Sequence, residues 1–260
     1  MTKKEYAQSV AEAVGGEARE VEKANGVVFM GVIVGDGDIR PTVYVDRMYD
    51  EGVEIERCAE IVKELTEKEE VSMPDFSRLC KYNEIKGDLR LRLFNEATHA
   101  DVFMPADSYG FAGIIIVPYL ENIIPNGSIR ITESLLKVWD VDRDVLFADA
   151  STSGEYEIIS LEKVLREFGD EDYLGADEVP QMYIVTNKKR CYGAYGVIAL
   201  KERIGEMFPE GYVVIPSSVH ECIVFSSEYG DTEKINGMVR EVNSQLVPPE
   251  EVLGDRAYVF

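Results

Sequence analysis

The chain has 260 residues, 45% of them hydrophobic, and carries 49 Asp and Glu against 27 Lys and Arg for a net charge of −22. That length and composition support a globular core with no need of disulfide or metal. The acidity is spread, with 24 acids to 15 bases in residues 1–130 and 25 to 12 in residues 131–260, which argues against nucleic-acid and anionic-membrane partners, since those need clustered Lys and Arg.

Residues up to about Val14 read as a short amphipathic helix stopped by Gly15-Gly16. Asn25-Gly26 beside the apolar run Val27–Val34 is a turn signal that demands positive φ at both positions. Pro41–Val45 adds a further strand after Gly35-Asp36-Gly37-Asp38, giving a β-meander. From Gly52 to Glu70 the spacing of Ile55, Cys58, Ile61, Val62 and Leu65 is helical, and Met73-Pro74 ends the run. Leu89, Leu91 and Leu93 alternate with Arg90 and Arg92, as in a strand with one wet face. Phe111–Tyr119 reads as a buried central strand, and Thr132 as the cap of a helix. Residues 150–180 carry the weakest signals, loops around a helix from Ser160 to Phe168 with the acidic stretch Gly169–Asp172. Met182–Val185 and Tyr195–Leu200 read as strands across a turn at Asn187–Arg190. A helix from Lys201 to Phe208 follows, then strands at Tyr212–Pro216 and Cys222–Phe225, and a helix capped by Asp231.

Strands arriving in hairpin-like runs favour an α+β fold with mixed or antiparallel sheets and helices on one side. The expected division is an N-terminal subdomain over 1–150, a connecting segment over 151–180 and a C-terminal subdomain over 181–260.

Cys58, Cys80, Cys191 and Cys222 have no C-x-x-C spacing, and only Cys222 has a histidine nearby, so four free thiols in a reducing compartment are expected. The first residues lack the apolar stretch of a signal peptide, Glu5 and Glu12 interrupting it, and the longest apolar run, Gly113–Val117, is far short of a membrane helix. The expected location is cytoplasmic. With His99 and His220 as the only histidines, no His-rich metal site exists. Asp36 and Asp38 faintly resemble a calcium loop but lack its glycine position and downstream glutamate. Neither a Gly-x-Gly-x-x-Gly loop entering a helix nor a Gly-Lys-Ser/Thr occurs, so no cofactor is expected.

Met182–Lys188 with Gly193-Ala194, Ile215–Glu221, Met238–Asn243 and Pro249–Leu253 occur in an order that resembles the domain-of-unknown-function family 5688 of anaerobic gut Firmicutes. Asn25-Gly26-Val27 and Pro41–Tyr44 extend the resemblance over nearly the whole chain. It implies a bacterial cytoplasmic protein and brings no activity with it.

Two segments stand out chemically. Ser217-Ser218-Val219-His220-Glu221 sets two hydroxyls, an imidazole and a carboxylate together, the residue types of a nucleophilic mechanism. No Gly-x-Ser-x-Gly elbow surrounds either serine, and the same residues read more readily as a tight connection whose hydroxyls satisfy backbone groups. Asn187-Lys188-Lys189-Arg190 puts three bases at one tip of an acidic chain. It reads as a binding surface for an anionic ligand or acidic partner, or as a charged turn that keeps a sheet edge soluble. The weakness of every catalytic signature favours a non-enzymatic cytoplasmic binding or adaptor protein of bacterial or mobile-element origin, with a protein partner. The alternatives are a hydrolase using His220 with Ser217 or Ser218, and an acidic mimic that binds a basic protein.

Overall fold

A computed structural model describes residues 1–36, 40–67, 77–124, 127–167 and 181–260. Asp38, Met73-Pro74 and the acidic stretch Gly169–Asp172 lie outside the described residues, as does the last part of the expected connecting segment, 168–180. The chain folds as two compact units, Met1–Pro74 and Asp75–Phe260.

In the first unit, Thr2 starts helix α1 (Lys3–Val14) with a reciprocal cap. Its hydroxyl accepts from Glu5 N–H at 3.2 Å, and the Glu5 carboxylate accepts from Thr2 N–H at 2.7 Å. Gly15 ends the helix at φ 69°, a left-handed conformation that glycine adopts without steric cost. Strands β1 (Glu17–Glu22), β2 (Val28–Ile33) and β3 (Thr42–Tyr44) form the expected antiparallel meander, in that order. Asn25 and Gly26 between β1 and β2 both have positive φ, 62° and 69°, as the sequence requires. Helices α2 (Asp46–Asp50) and α3 (Ile55–Glu67) follow. Tyr6, Val10, Val32, Cys58 and Val62 build this unit's core. Asp46 is buried there because its carboxylate accepts the Met30 N–H at 2.7 Å, a bond that answers the cost of burying the charge.

The second unit holds α4 (Tyr82–Ile85), β4 (Leu89–Asn95), β5 (Met104–Pro105), β6 (Ile114–Glu121), β7 (Ser128–Arg130), α5 (Glu133–Trp139), α6 (Arg143–Ser151), β8 (Tyr156–Ser160) and α7 (Leu161–Glu167). After these come β9 (Tyr183–Asn187), α8 (Gly196–Ala199), α9 (Lys201–Met207), β10 (Tyr212–Ser218), β11 (Glu221–Ser226), α10 (Thr232–Gln245) and β12 (Tyr258–Val259). Thr132 and Asp231 cap α5 and α10 through their side chains. One sheet is ordered β4-β6-β5, with β7 also on β6; the other is β12-β10-β11-β9-β8. Every ladder among the described residues is antiparallel, so the α+β class holds. Strand β6 is central and almost wholly buried.

The structure revises four expectations. The division falls at 74/75 instead of in 151–180, because Leu89, Leu93 and Ile116 of one sheet share a single buried cluster with Val185, Val214 and Val224 of the other. Within 151–180, β8 is a full edge strand paired with β9. Tyr195–Leu200 is helical, not a strand: Ala199 N–H bonds Tyr195 O at 3.1 Å and Leu200 N–H bonds Gly196 O at 2.8 Å. The turn Asn187–Arg190 therefore leads from β9 into a loop and helix rather than closing a hairpin. Finally, Arg92 lies on no wet face, being only 6% exposed, because residues from the loop after β9 cover it.

Candidate functional site

The turn after β9 is closed by its first residue. Asn187 Nδ2 donates to Cys191 O at 2.7 Å and Asn187 Oδ1 accepts from Cys191 N–H at 3.2 Å. Inside this clamp Arg190 and, just beyond it, Tyr192 adopt left-handed φ of 50° and 51°, which costs a side-chain-bearing residue on the order of 1 kcal/mol each and persists only where surroundings enforce it.

The enforcement comes from the turn between β10 and β11. Tyr192 N–H donates to His220 Nδ1 at 3.0 Å, and Gly193 N–H donates to His220 O at 2.9 Å. The hydroxyl of the fully buried Thr186 donates to the same carbonyl at 2.8 Å. With Nδ1 accepting, a neutral imidazole carries its proton on Nε2, which lies 3.3 Å from Glu251 Oε1. Ser218 Oγ accepts the backbone N–H of His220 at 3.1 Å. Ser217 precedes it at the end of β10, and Glu221 opens β11 opposite Ser218 in the ladder. The acid beside the histidine is thus Glu251, not the adjacent Glu221.

On the other side of the loop, Tyr192 and Lys189 cover the polar face of β4 and β6. The Arg92 guanidinium lies between the Tyr119 and Tyr192 rings, 4.3 and 4.2 Å from their centroids. Its Nη2 bonds Glu121 Oε1 at 3.0 Å, and Lys189 Nζ bonds Glu121 Oε2 at 3.0 Å. Burial pushes the Glu121 carboxyl up, but the bonds from Lys189 and Arg92 outweigh it and hold the group below the usual carboxylate range. Arg92 Nε is buried with no hydrogen-bond partner among the described residues.

Lys188 pairs differently. Its ammonium meets Glu155 Oε2 at 2.9 Å across the β8–β9 ladder, with both side chains mostly exposed at 66% and 73%. That hydrogen bond, with the charge of Lys188, lowers the Glu155 carboxyl. Between β4, β8 and the turn lies a pocket of about 130 Å³, walled by Arg90, Glu121, Tyr156, Lys188, Lys189 and Tyr192. Burial raises the phenols of Tyr156 and Tyr192, so both keep their O–H.

The structure thus brings Asn187, Lys188 and Lys189 to one pocket, with His220 and Ser218 behind the turn. Sequence reading missed Arg90, Arg92, Glu121, Tyr156, Tyr192 and Glu251. The one available signal was the pair of arginines on β4, charged residues alternating with leucine on a chain otherwise poor in bases. His99 sits apart, its carbonyl accepting from Arg130 at 2.8 Å. Among the described residues no group of three or more His, Cys, Asp or Glu is placed to hold a metal, and no helix is long and apolar enough to cross a membrane.

Three antiparallel sheets with packed helices, and a charged pocket under a clamped turn, define an α+β protein with a concave polar site. The chain belongs to the family of unknown function DUF5688, whose model matches residues 2–260, the family its motifs resemble. No curated protein and no solved structure matches it.

Proposed function

We propose that this chain is a non-enzymatic binding protein of the bacterial cytoplasm, with the turn Asn187–Arg190 and the pocket beneath it as its contact surface. One observation carries the reading. The histidine that any acid–base or nucleophilic chemistry would need is engaged in building the turn, with one of the two serines: His220 Nδ1 accepts from Tyr192, His220 Nε2 faces Glu251, and Ser218 Oγ accepts from a backbone N–H. A general base needs a ring nitrogen open to a hydroxyl or water. The four cysteines are free thiols, in keeping with a reducing compartment.

The test is a tagged pull-down from a bacterial host lysate, followed by titration of the purified partner against wild type, Lys188→Ala and Ser218→Ala. The reading expects one stoichiometric partner, weakened strongly by Lys188→Ala and at most slightly by Ser218→Ala, which removes one hydrogen bond of the β10–β11 turn. The competing hydrolase reading would win if the wild type turned over an ester or peptide substrate and Ser217→Ala or Ser218→Ala abolished that turnover.

A further inference from the structure

We infer that the pocket beneath the turn is a site for a dianionic phosphate group. This rests on the reading of the turn as a recognition surface and gives that surface its ligand chemistry.

The charge count comes first. Glu121 is shared by two cations, Arg92 and Lys189, and Glu155 is met by Lys188. Arg90 is the third cation of the pocket wall, beside Lys188 and Lys189, and its Nη1 is spent on the carbonyls of Gly87 and Leu89 at 2.9 and 2.6 Å. The wall itself holds three cations, Arg90, Lys188 and Lys189, against Glu121 and Glu155, and Arg92 stands behind it on Glu121, a cluster of positive excess on a chain whose net charge is −22. On so acidic a chain, a local excess of positive charge sets the pocket apart from the average surface. A phosphate monoester carries about −1.5 to −2 near neutral pH and is drawn to such a cluster more strongly than a singly charged carboxylate.

The donors fit as well. Carbonyls accept from one terminal nitrogen of Arg90, which leaves the rest of its planar fork for an oxyanion, a geometry that suits phosphate. The phenols of Tyr156 and Tyr192 remain protonated and supply O–H donors at the wall. Among the described residues, Lys188 is held only by a solvent-exposed carboxylate. Such a pair is worth little in water, so a dianion can take Glu155's place on the ammonium. The volume of about 130 Å³ is close to that of a cavity that takes one small ring. That accommodates a phosphate group, with the rest of any phosphoester projecting into solvent.

The experiment is a chemical-shift titration of the full chain with inorganic phosphate, O-phosphoserine and acetate, on wild type, Arg90→Lys and Lys188→Ala. Phosphate and phosphoserine should bind about tenfold more tightly than acetate, with shifts confined to residues around 90, 121, 155–156 and 187–192. Arg90→Lys keeps the charge but loses the fork, and should weaken phosphate by about tenfold; Lys188→Ala should weaken it while the unliganded spectrum stays native. Equal response to acetate and phosphate, or phosphate shifts scattered over the surface, would overturn the inference. A protein partner captured through Lys188 by a chain that ignores phosphate would sink the phosphate site alone. Phosphate binding at the pocket with no protein partner would leave the site standing and remove the protein-binding reading.

Discussion

The backbone N–H of Tyr192, at left-handed φ, donates to the imidazole Nδ1 of His220 at 3.0 Å, and the two rings lie 5.0 Å apart. One side chain therefore supports both the backbone and the ring of Tyr192, and that ring covers Arg92. The histidine that sequence reading offers as a catalytic base acts here as a strut. His220→Ala removes the acceptor and leaves a partly buried N–H without a partner, at an expected cost of about 1–3 kcal/mol. His220→Asn, whose carbonyl oxygen can stand near the Nδ1 position, should recover much of it. Urea unfolding of both variants is the check, and equal losses would show that the acceptor is not what matters.

Gly193 lies where three groups converge. A Cβ there would come within 2.4 Å of Asn187 N, 2.5 Å of Thr186 Oγ1 and 2.9 Å of His220 O. Two of these are backbone atoms and the third is fixed by its bond to His220 O, so nothing can yield cheaply. Gly193→Ala should cost about 3 kcal/mol and shift amide resonances on both β9 and the β10–β11 turn. Gly205, in α9, has open space around its Cβ position, so Gly205→Ala should be neutral or stabilising and serves as the control.

Much of the fold was legible because local chemistry and tertiary structure agree. Asn25-Gly26 demanded two positive φ values, and Thr132 and Asp231 are caps because their oxygens accept from backbone N–H groups three residues on. Tyr195–Leu200 misled because a short apolar run has no period of its own, and helix and strand read alike over so few residues. Arg92 misled for a different reason: alternation reports which face a residue is on, not what covers that face. The cover is Tyr192, a hundred positions on, and the counter-charge is Glu121, neither of them visible in local pattern. The site was half legible on the same ground. Lys188 and Lys189 stood out against an acidic chain, whereas Glu251, which faces the histidine, sits 31 residues beyond it in the connection before β12.

Glu121 should make the second unit's stability depend on pH. Its carboxyl titrates lower in the folded chain than in the unfolded one, so on acidification the unfolded chain takes up the proton first. The stabilisation is complete above the ordinary glutamate range, near about pH 4.3, and is lost as pH falls through the lowered folded value. Glu121→Gln leaves the Arg92 guanidinium buried without a counter-charge and should cost about 3 kcal/mol at neutral pH. The gap between wild type and Glu121→Gln should close on acidification, measured by denaturant unfolding across pH. A gap that stayed constant would mean that the carboxylate's charge contributes nothing there.

Lys188 and Lys189 adjoin in sequence and differ in what they hold. Lys189 neutralises a carboxylate that is nine-tenths buried, while Lys188 and Glu155 meet with most of both side chains in water. Exposed pairs contribute about 0–1 kcal/mol, and salt screens them. Lys188→Ala and Glu155→Ala should each change unfolding free energy by less than about 1 kcal/mol, with any loss fading at high ionic strength, whereas Lys189→Ala should cost more and should lower the stabilisation that Glu121 provides. A double-mutant cycle over Lys188 and Glu155 measures the coupling directly. A large, salt-independent coupling would mean that Lys188 is locked to Glu155 and closed to any incoming anion, and the turn would then be a structural brace instead of a contact surface.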